Sequence, residues 1–128
     1  HAQKEGKYIM IKLFTRRQHE ETHKRENAKR VVIVKTNPRC AGQQAEDMHM
    51  IERLCKDILI AETHDDVLIQ TAIAVGYANA MRIHGIVEDT EAVDIVEMLG
   101  TMGEDKLHEV EKINANIIMR RLRKKVIQ

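Results

Sequence analysis

Aromatic side chains are almost missing from this sequence: Phe14, Tyr8 and Tyr77 are the only ones among 128 residues, and there is no tryptophan. β-Sandwiches and barrels draw heavily on aromatic and β-branched residues, so the shortage weighs against them; a core has to come from Ile, Leu, Val, Met and Ala on packed helices. The same shortage disfavours recognition of single-stranded nucleic acid by base stacking. Proline occurs once, at Pro38, which leaves everything after it free to form uninterrupted helices. Two cysteines, Cys40 and Cys55, stand fifteen apart without a second pair. That fits free thiols in a reducing compartment better than a disulfide framework or a zinc site. Long apolar runs are absent as well. The longest, residues 67–75, is broken by Gln70 and Thr71 and falls far short of the roughly 20 residues a membrane-spanning helix needs. Residues 1–6 are polar and lack the apolar region of a signal peptide, so the expected location is the cytoplasm, without membrane contact.

What the chain does have is charge sorted along its length. Residues 1–40 carry 11 Lys and Arg against 4 Asp and Glu, residues 41–119 carry 5 against 16, and residues 120–128 carry 5 against none. A net charge of +1 conceals this order of basic, acidic and basic segments. Such asymmetry points to a partner rather than to a fold.

Two regions are expected, a basic N-terminal arm over 1–40 and a helical bundle over 41–128. The fold class is mainly α, with a four-helix core over about 44–127. The first helix, about 44–61, places Met48, Ile51, Leu54, Cys55, Ile58 and Leu59 on one face. Thr63 with Asp66 three residues on resembles a capping box for the second, which runs to about His84 and ends at Gly85. Its apolar residues cover most of the circumference, which predicts a central, buried helix with Gly76, Ala78 and Ala80 admitting close neighbours. A third helix spans about 90–99 with Gly100 as its stop. Thr101 and Glu104 open a fourth, about 24 residues long, whose apolar stripe continues past the other helices towards Val126 and Ile127.

The arm has a different pattern. Residues 8–14 and 31–34 are short apolar runs that suggest two strands, whereas residues 15–30 hold no apolar residue except Ala28. A β-hairpin and one long helix over about 4–30 are both open readings of the arm; a hairpin would have to lean on the bundle or on another subunit.

One catalytic motif stands in the sequence as written. His19-Glu20-Glu21-Thr22-His23 matches H-E-x-x-H, in which two histidines one turn apart ligate zinc and the glutamate acts as base. The flanking Arg16, Arg17, Lys24 and Arg25 argue for a solvated cationic face, which competes poorly for Zn²⁺ and leaves a nucleophile in bulk water. Met48-His49-Met50 fits a core methionine beside an exposed histidine. The pair His64-Asp65 and the spacing Glu62-x-x-Asp65 fit helix capping. No cofactor is expected, and His19 and His23 are the weak metal candidates. Gln70, Ala72 and Gly76 sit at helix-turn-helix offsets, but residues 77–81 favour continuation of one helix.

The stronger functional signal is cationic. Arg120, Arg121, Arg123, Lys124 and Lys125 put five cations in six positions at a helix end; Arg16, Arg17, Lys24, Arg25, Lys29 and Arg30 put six more on the arm. Both groups are candidate phosphate contacts with salt-dependent affinity. The expected function is a small, non-enzymatic, oligomeric accessory or regulatory protein, a homodimer in the simplest case, contacting nucleic acid or a nucleic-acid-handling complex. The alternatives are an adaptor or inhibitor that binds one protein partner and no nucleic acid, and a zinc hydrolase built on His19 and His23.

Overall fold

Alternation decides the first element. In the run Val31–Lys35, Val32 and Val34 are buried while Ile33 is 52 % exposed, the two-residue period of a strand with one face on a core. In the computed structural model, which describes residues 8–12 and 31–127, this strand (β2) pairs antiparallel with Tyr8–Lys12 (β1). Register runs from Tyr8 opposite Lys35 to Lys12 opposite Val31. Of the two readings of the arm, the described residues carry the hairpin strands. As expected, β2 leans on the bundle: Val32 and Val34 join the main core.

Three helices follow among the described residues: α1 Ala41–Ile60, α2 His64–Ile83 and α3 Asp89–Ile127. α1 buries Met48, Ile51, Leu54, Cys55 and Ile58, the face read from the sequence, and leaves His49 exposed beside Met48. α2 begins where Thr63 accepts a hydrogen bond from the Asp66 N–H at 3.1 Å, with Asp65 and Asp66 in the first turn complementing the dipole. It ends at Gly85, whose φ of 71° is the left-handed conformation that suits a helix stop. At the start of α3, the Glu91 carboxylate reaches back to the Glu88 N–H at 2.9 Å and also accepts from the Lys35 N–H at 2.6 Å. One side chain thus caps α3 and fastens β2 to it.

Two expectations are corrected. Among the described residues the core has three helices, not four, because α3 passes through Gly100 without a break. An interior glycine costs about 1 kcal/mol relative to alanine. Burial of Ala92, Ile95, Met98, Leu99 and Met102 along one continuous face outweighs that cost. Thr101, expected as an N-cap, lies inside the helix and donates its hydroxyl to the Glu97 carbonyl at 3.0 Å. The second correction concerns α2. Only Val67, Ala74, Ala78 and Met81 are buried on it, because two flanking helices cover one side and leave the other to solvent.

The main core joins α1, α2, the first turns of α3 and β2. A smaller cluster of Ala61, Val67 and Val110, with Leu107 against it, closes the end of the bundle where α1 turns into α2. Between them α3 crosses α2 closely at Gly103, where a Cβ would lie 2.6 Å from Thr71 Oγ1.

Candidate functional site

Val110 is buried, and every residue of α3 from 111 to 125 is exposed. The helix nevertheless continues to Ile127, so it projects about 25 Å beyond the bundle at 1.5 Å per residue. An isolated helix of this length is marginal in water, and burial of an apolar face supplies most helical stability in proteins. This segment has that face: Ile113, Ile117, Ile118 and Leu122 are 41–55 % exposed. At about 100° per residue, Ile113, Ile117, Ile118 and Leu122 continue the side of α3 that carries Leu107 and Val110 against the bundle. The seam therefore runs on with none of the other described elements on it.

The five cations at the tip divide by the same geometry. Arg121, Lys124 and Lys125 lie on the seam half of the helix. Arg120 and Arg123 fall on the opposite half, with Lys112 two and three turns earlier. All are exposed, and Lys124 and Lys125 sit in the last turn, where they complement the helix dipole. Arg120, Arg121, Arg123, Lys124 and Lys125 thus stand exposed at the end of a projecting helix. The other cationic group, Arg16, Arg17, Lys24, Arg25, Lys29 and Arg30, lies outside the described residues, as do His19 and His23 of the H-E-x-x-H motif.

At the base of the projection the charge is reversed. Glu62, on the turn between α1 and α2, and Asp65 and Asp66, in the first turn of α2, are exposed beside the cluster that holds Val110. A shallow depression of about 240 Å³ there is lined by Asp57, Ile60, Ala61, Asp66 and Gln70. His64 Nδ1 is 3.7 Å from Asp65 Oδ1, both largely exposed. Among the described residues no group of three or more His, Cys, Asp or Glu side chains is placed to hold a metal ion.

A second uncovered surface lies on α2. Leu68, Ile69, Ile73 and Ile83 are 46–70 % exposed, and Ala72, Gly76 and Ala80 between them are exposed too. Together they form one apolar face along the whole helix, with open space at Gly76.

The opposite end of the bundle holds a polar node that the sequence reading missed. Gln44 is completely buried. Its Nε2 donates to the carbonyls of Lys35 and Ile86, both at 3.0 Å, and its Oε1 accepts from the Asn37 N–H at 2.9 Å. Asn37 Nδ2 in turn donates to the Gly85 carbonyl at 3.1 Å. The node ties the end of β2 to the turn between α2 and α3 beneath an open depression of about 680 Å³. A signal was present, because Gln44 falls four and seven residues before Met48 and Ile51 on the core face of α1. Nearby, Tyr77 donates to the mostly buried Asp47 at 2.7 Å. That hydrogen bond is the main reason its phenol is pushed up to about 12. Burial, with the Glu52 carboxylate adding, pushes the Cys55 thiol up to about 12 as well. Cys55 is therefore a neutral core side chain, not a nucleophile.

The chain matches no protein-family model, no curated protein and no solved structure. Among the described residues no helix is long and apolar enough to cross a membrane.

Proposed function

We propose that this protein is a small, non-enzymatic, oligomeric accessory or regulatory factor that contacts nucleic acid, or a nucleic-acid-handling complex, through its basic ends. One observation carries the reading: α3 leaves the bundle after Val110 and presents Arg120, Arg121, Arg123, Lys124 and Lys125 in solvent at the tip of a projecting helix. A helix of this diameter fits the major groove of a duplex, and the cations on its outward half, Arg120 and Arg123, can reach phosphates from there. Each phosphate neutralised lowers the logarithm of affinity by about 0.9 per decade of salt on duplex DNA. Five contacts per chain set the upper limit of the slope near −4.5 on that scale, and the two on the outward half, Arg120 and Arg123, supply about −1.8 of it. Such affinity serves positioning rather than sequence choice, which is the behaviour of an accessory factor.

The test is binding of the full chain to mixed-sequence duplex DNA and RNA across a salt series. Neutralising Arg120 and Arg123 together should lower affinity and flatten the slope by about two units while helix content stays constant. Absence of binding at low salt refutes the reading.

The second reading, an adaptor or inhibitor that binds one protein and no nucleic acid, is favoured by the uncovered α2 face of Leu68, Ile69, Ile73 and Ile83. Contiguous exposed apolar surface of this kind marks interaction sites. That reading predicts a stoichiometric protein complex abolished by Ile73→Glu, with nucleic-acid affinity nil at every salt concentration.

A further inference from the structure

We infer that the projecting part of α3 is a self-association helix: two copies pair antiparallel along residues 113–122, centred between Ile117 and Ile118, with each basic tip resting on the acidic shoulder of the other copy. Three observations lead here. The bundle-facing seam of α3 continues past Val110 with Ile113, Ile117, Ile118 and Leu122 half exposed, an apolar face that none of the described elements of its own chain covers. The four residues span 113–122, and their midpoint lies between Ile117 and Ile118. An antiparallel partner centred there covers the apolar stretch of one copy with that of the other; the contact is isologous and closes as a dimer.

Charge selects the direction. A parallel pair would set five cations against the same five in its mate. In the antiparallel register residues 121–125 of one copy lie level with residues 110–114 of the other. There the partner presents Glu111 on the helix and, at its base, Glu62 on the turn and Asp65 and Asp66 in the first turn of α2, all exposed. Arg121, Lys124 and Lys125 are the cations on the seam half, so they are the three that meet this acidic shoulder. Arg120 and Arg123, on the opposite half with Lys112, remain facing outward. Antiparallel pairing also sets the two helix dipoles head to tail.

This assignment deepens the proposed function by dividing the tip into dimer contacts and phosphate contacts, and it rests on that reading only for the second group. A dimer of this form carries its two outward cationic stripes on one rigid two-helix rod, which doubles the phosphate contacts per particle.

The experiment uses the full chain with Cys40→Ser, so that only the buried Cys55 remains, and two single variants, Asn114→Cys and Arg121→Cys, of different tag mass. These positions are opposite one another in the inferred register. Each lies about seven residues, roughly 10 Å along the axis, from its own mate, too far for a disulfide once the helix separation is added. Mixed and mildly oxidised, the two variants should form the mixed disulfide, and each alone should form none. Disulfides formed by each variant alone, or none in the mixture, overturn the register. By sedimentation the unmodified chain should be a dimer that weakens as salt rises, and Ile117→Asp/Ile118→Asp should be a monomer of unchanged fold, both residues being exposed in the single chain. Reversing Arg121, Lys124 and Lys125 to Glu should also give a monomer, and mixing it with Glu62→Lys/Asp65→Lys/Glu111→Lys should restore a dimer. A monomeric chain that still binds nucleic acid with a steep salt slope overturns the self-association and leaves the proposed function standing. A dimer that binds no nucleic acid does the reverse.

Discussion

Gln44→Met replaces the buried amide by an apolar chain of similar length and strands three backbone groups at once. The Ile86 carbonyl loses its partner in a buried setting; the Lys35 carbonyl and the Asn37 N–H lose theirs where they are partly buried. An unsatisfied buried group costs about 1–3 kcal/mol, and a hydrogen bond that water can partly replace costs about 1 kcal/mol. Taking about 2 for Ile86 and about 1 for each of the others gives a loss near 4 kcal/mol. For a domain of this size, that lowers Tm by roughly 15 °C. Denaturant unfolding followed by the helical circular dichroism signal measures it directly. Gln44→Glu supplies an internal check, because its carboxylate would face two carbonyl oxygens and hold its proton more tightly folded than unfolded. Its stability is then fully present at low pH and is lost as pH rises past the ordinary glutamate value near 4.3. A loss under about 1 kcal/mol for Gln44→Met, or a Gln44→Glu variant indifferent to pH, refutes the keystone role assigned to this side chain.

The remaining predictions are smaller. Gly100→Ala should stabilise the protein by about 1 kcal/mol, since the position is interior to a helix and its Cβ meets nothing. Gly103→Ala should destabilise it by a net 1–2 kcal/mol or so, because Thr71 Oγ1, Cγ2 and Cβ lie 2.6, 2.9 and 3.3 Å from the new Cβ and no rotation of Thr71 clears them all. Adding Thr71→Ala should recover most of that loss in calorimetric Tm. A thiol reagent should label Cys40 in the folded protein and Cys55 only on unfolding, given the buried site and raised thiol value of Cys55; equal labelling rates contradict this. Tyr77 holds its proton in the folded state to about 12 against 10.0 for a free phenol. Its stabilising contribution is therefore present below pH 10.0 and disappears as pH rises towards 12. Asp47→Asn should shift the phenol titration back towards its ordinary value in an ultraviolet absorbance titration.

Much of the architecture could be read from local pattern. The α1 core face follows from helical spacing, the start of α2 from Thr63 and Asp66, its end from Gly85, and β2 from its short run of β-branched residues. Gly100 misled because a glycine signals a stop only when burial beyond it is weak, and here Leu99 and Met102 lie on either side of it, both fully buried. The exposure of α2 was hidden for a related reason: composition reveals how much apolar surface a helix carries, not how many neighbours are available to cover it. For the candidate site, charge order along the chain disclosed the basic tip, and the stripe through Ile117 and Leu122 disclosed its projection. The split of the five cations into two halves needed the helix phase relative to Val110, which only the packed bundle supplies. Gln44 lay on a legible core face, but its three partners are up to 42 residues away in sequence and could not be found there.

The measurement that bears most directly on this account is affinity of the full chain for mixed-sequence duplex DNA as a function of salt, beside the Arg120→Gln/Arg123→Gln variant. The account predicts a steep salt dependence and a shallower one, by about two units of slope, in a variant with unchanged helix content and unchanged oligomeric state. Salt-independent affinity, or no binding at low salt, contradicts it.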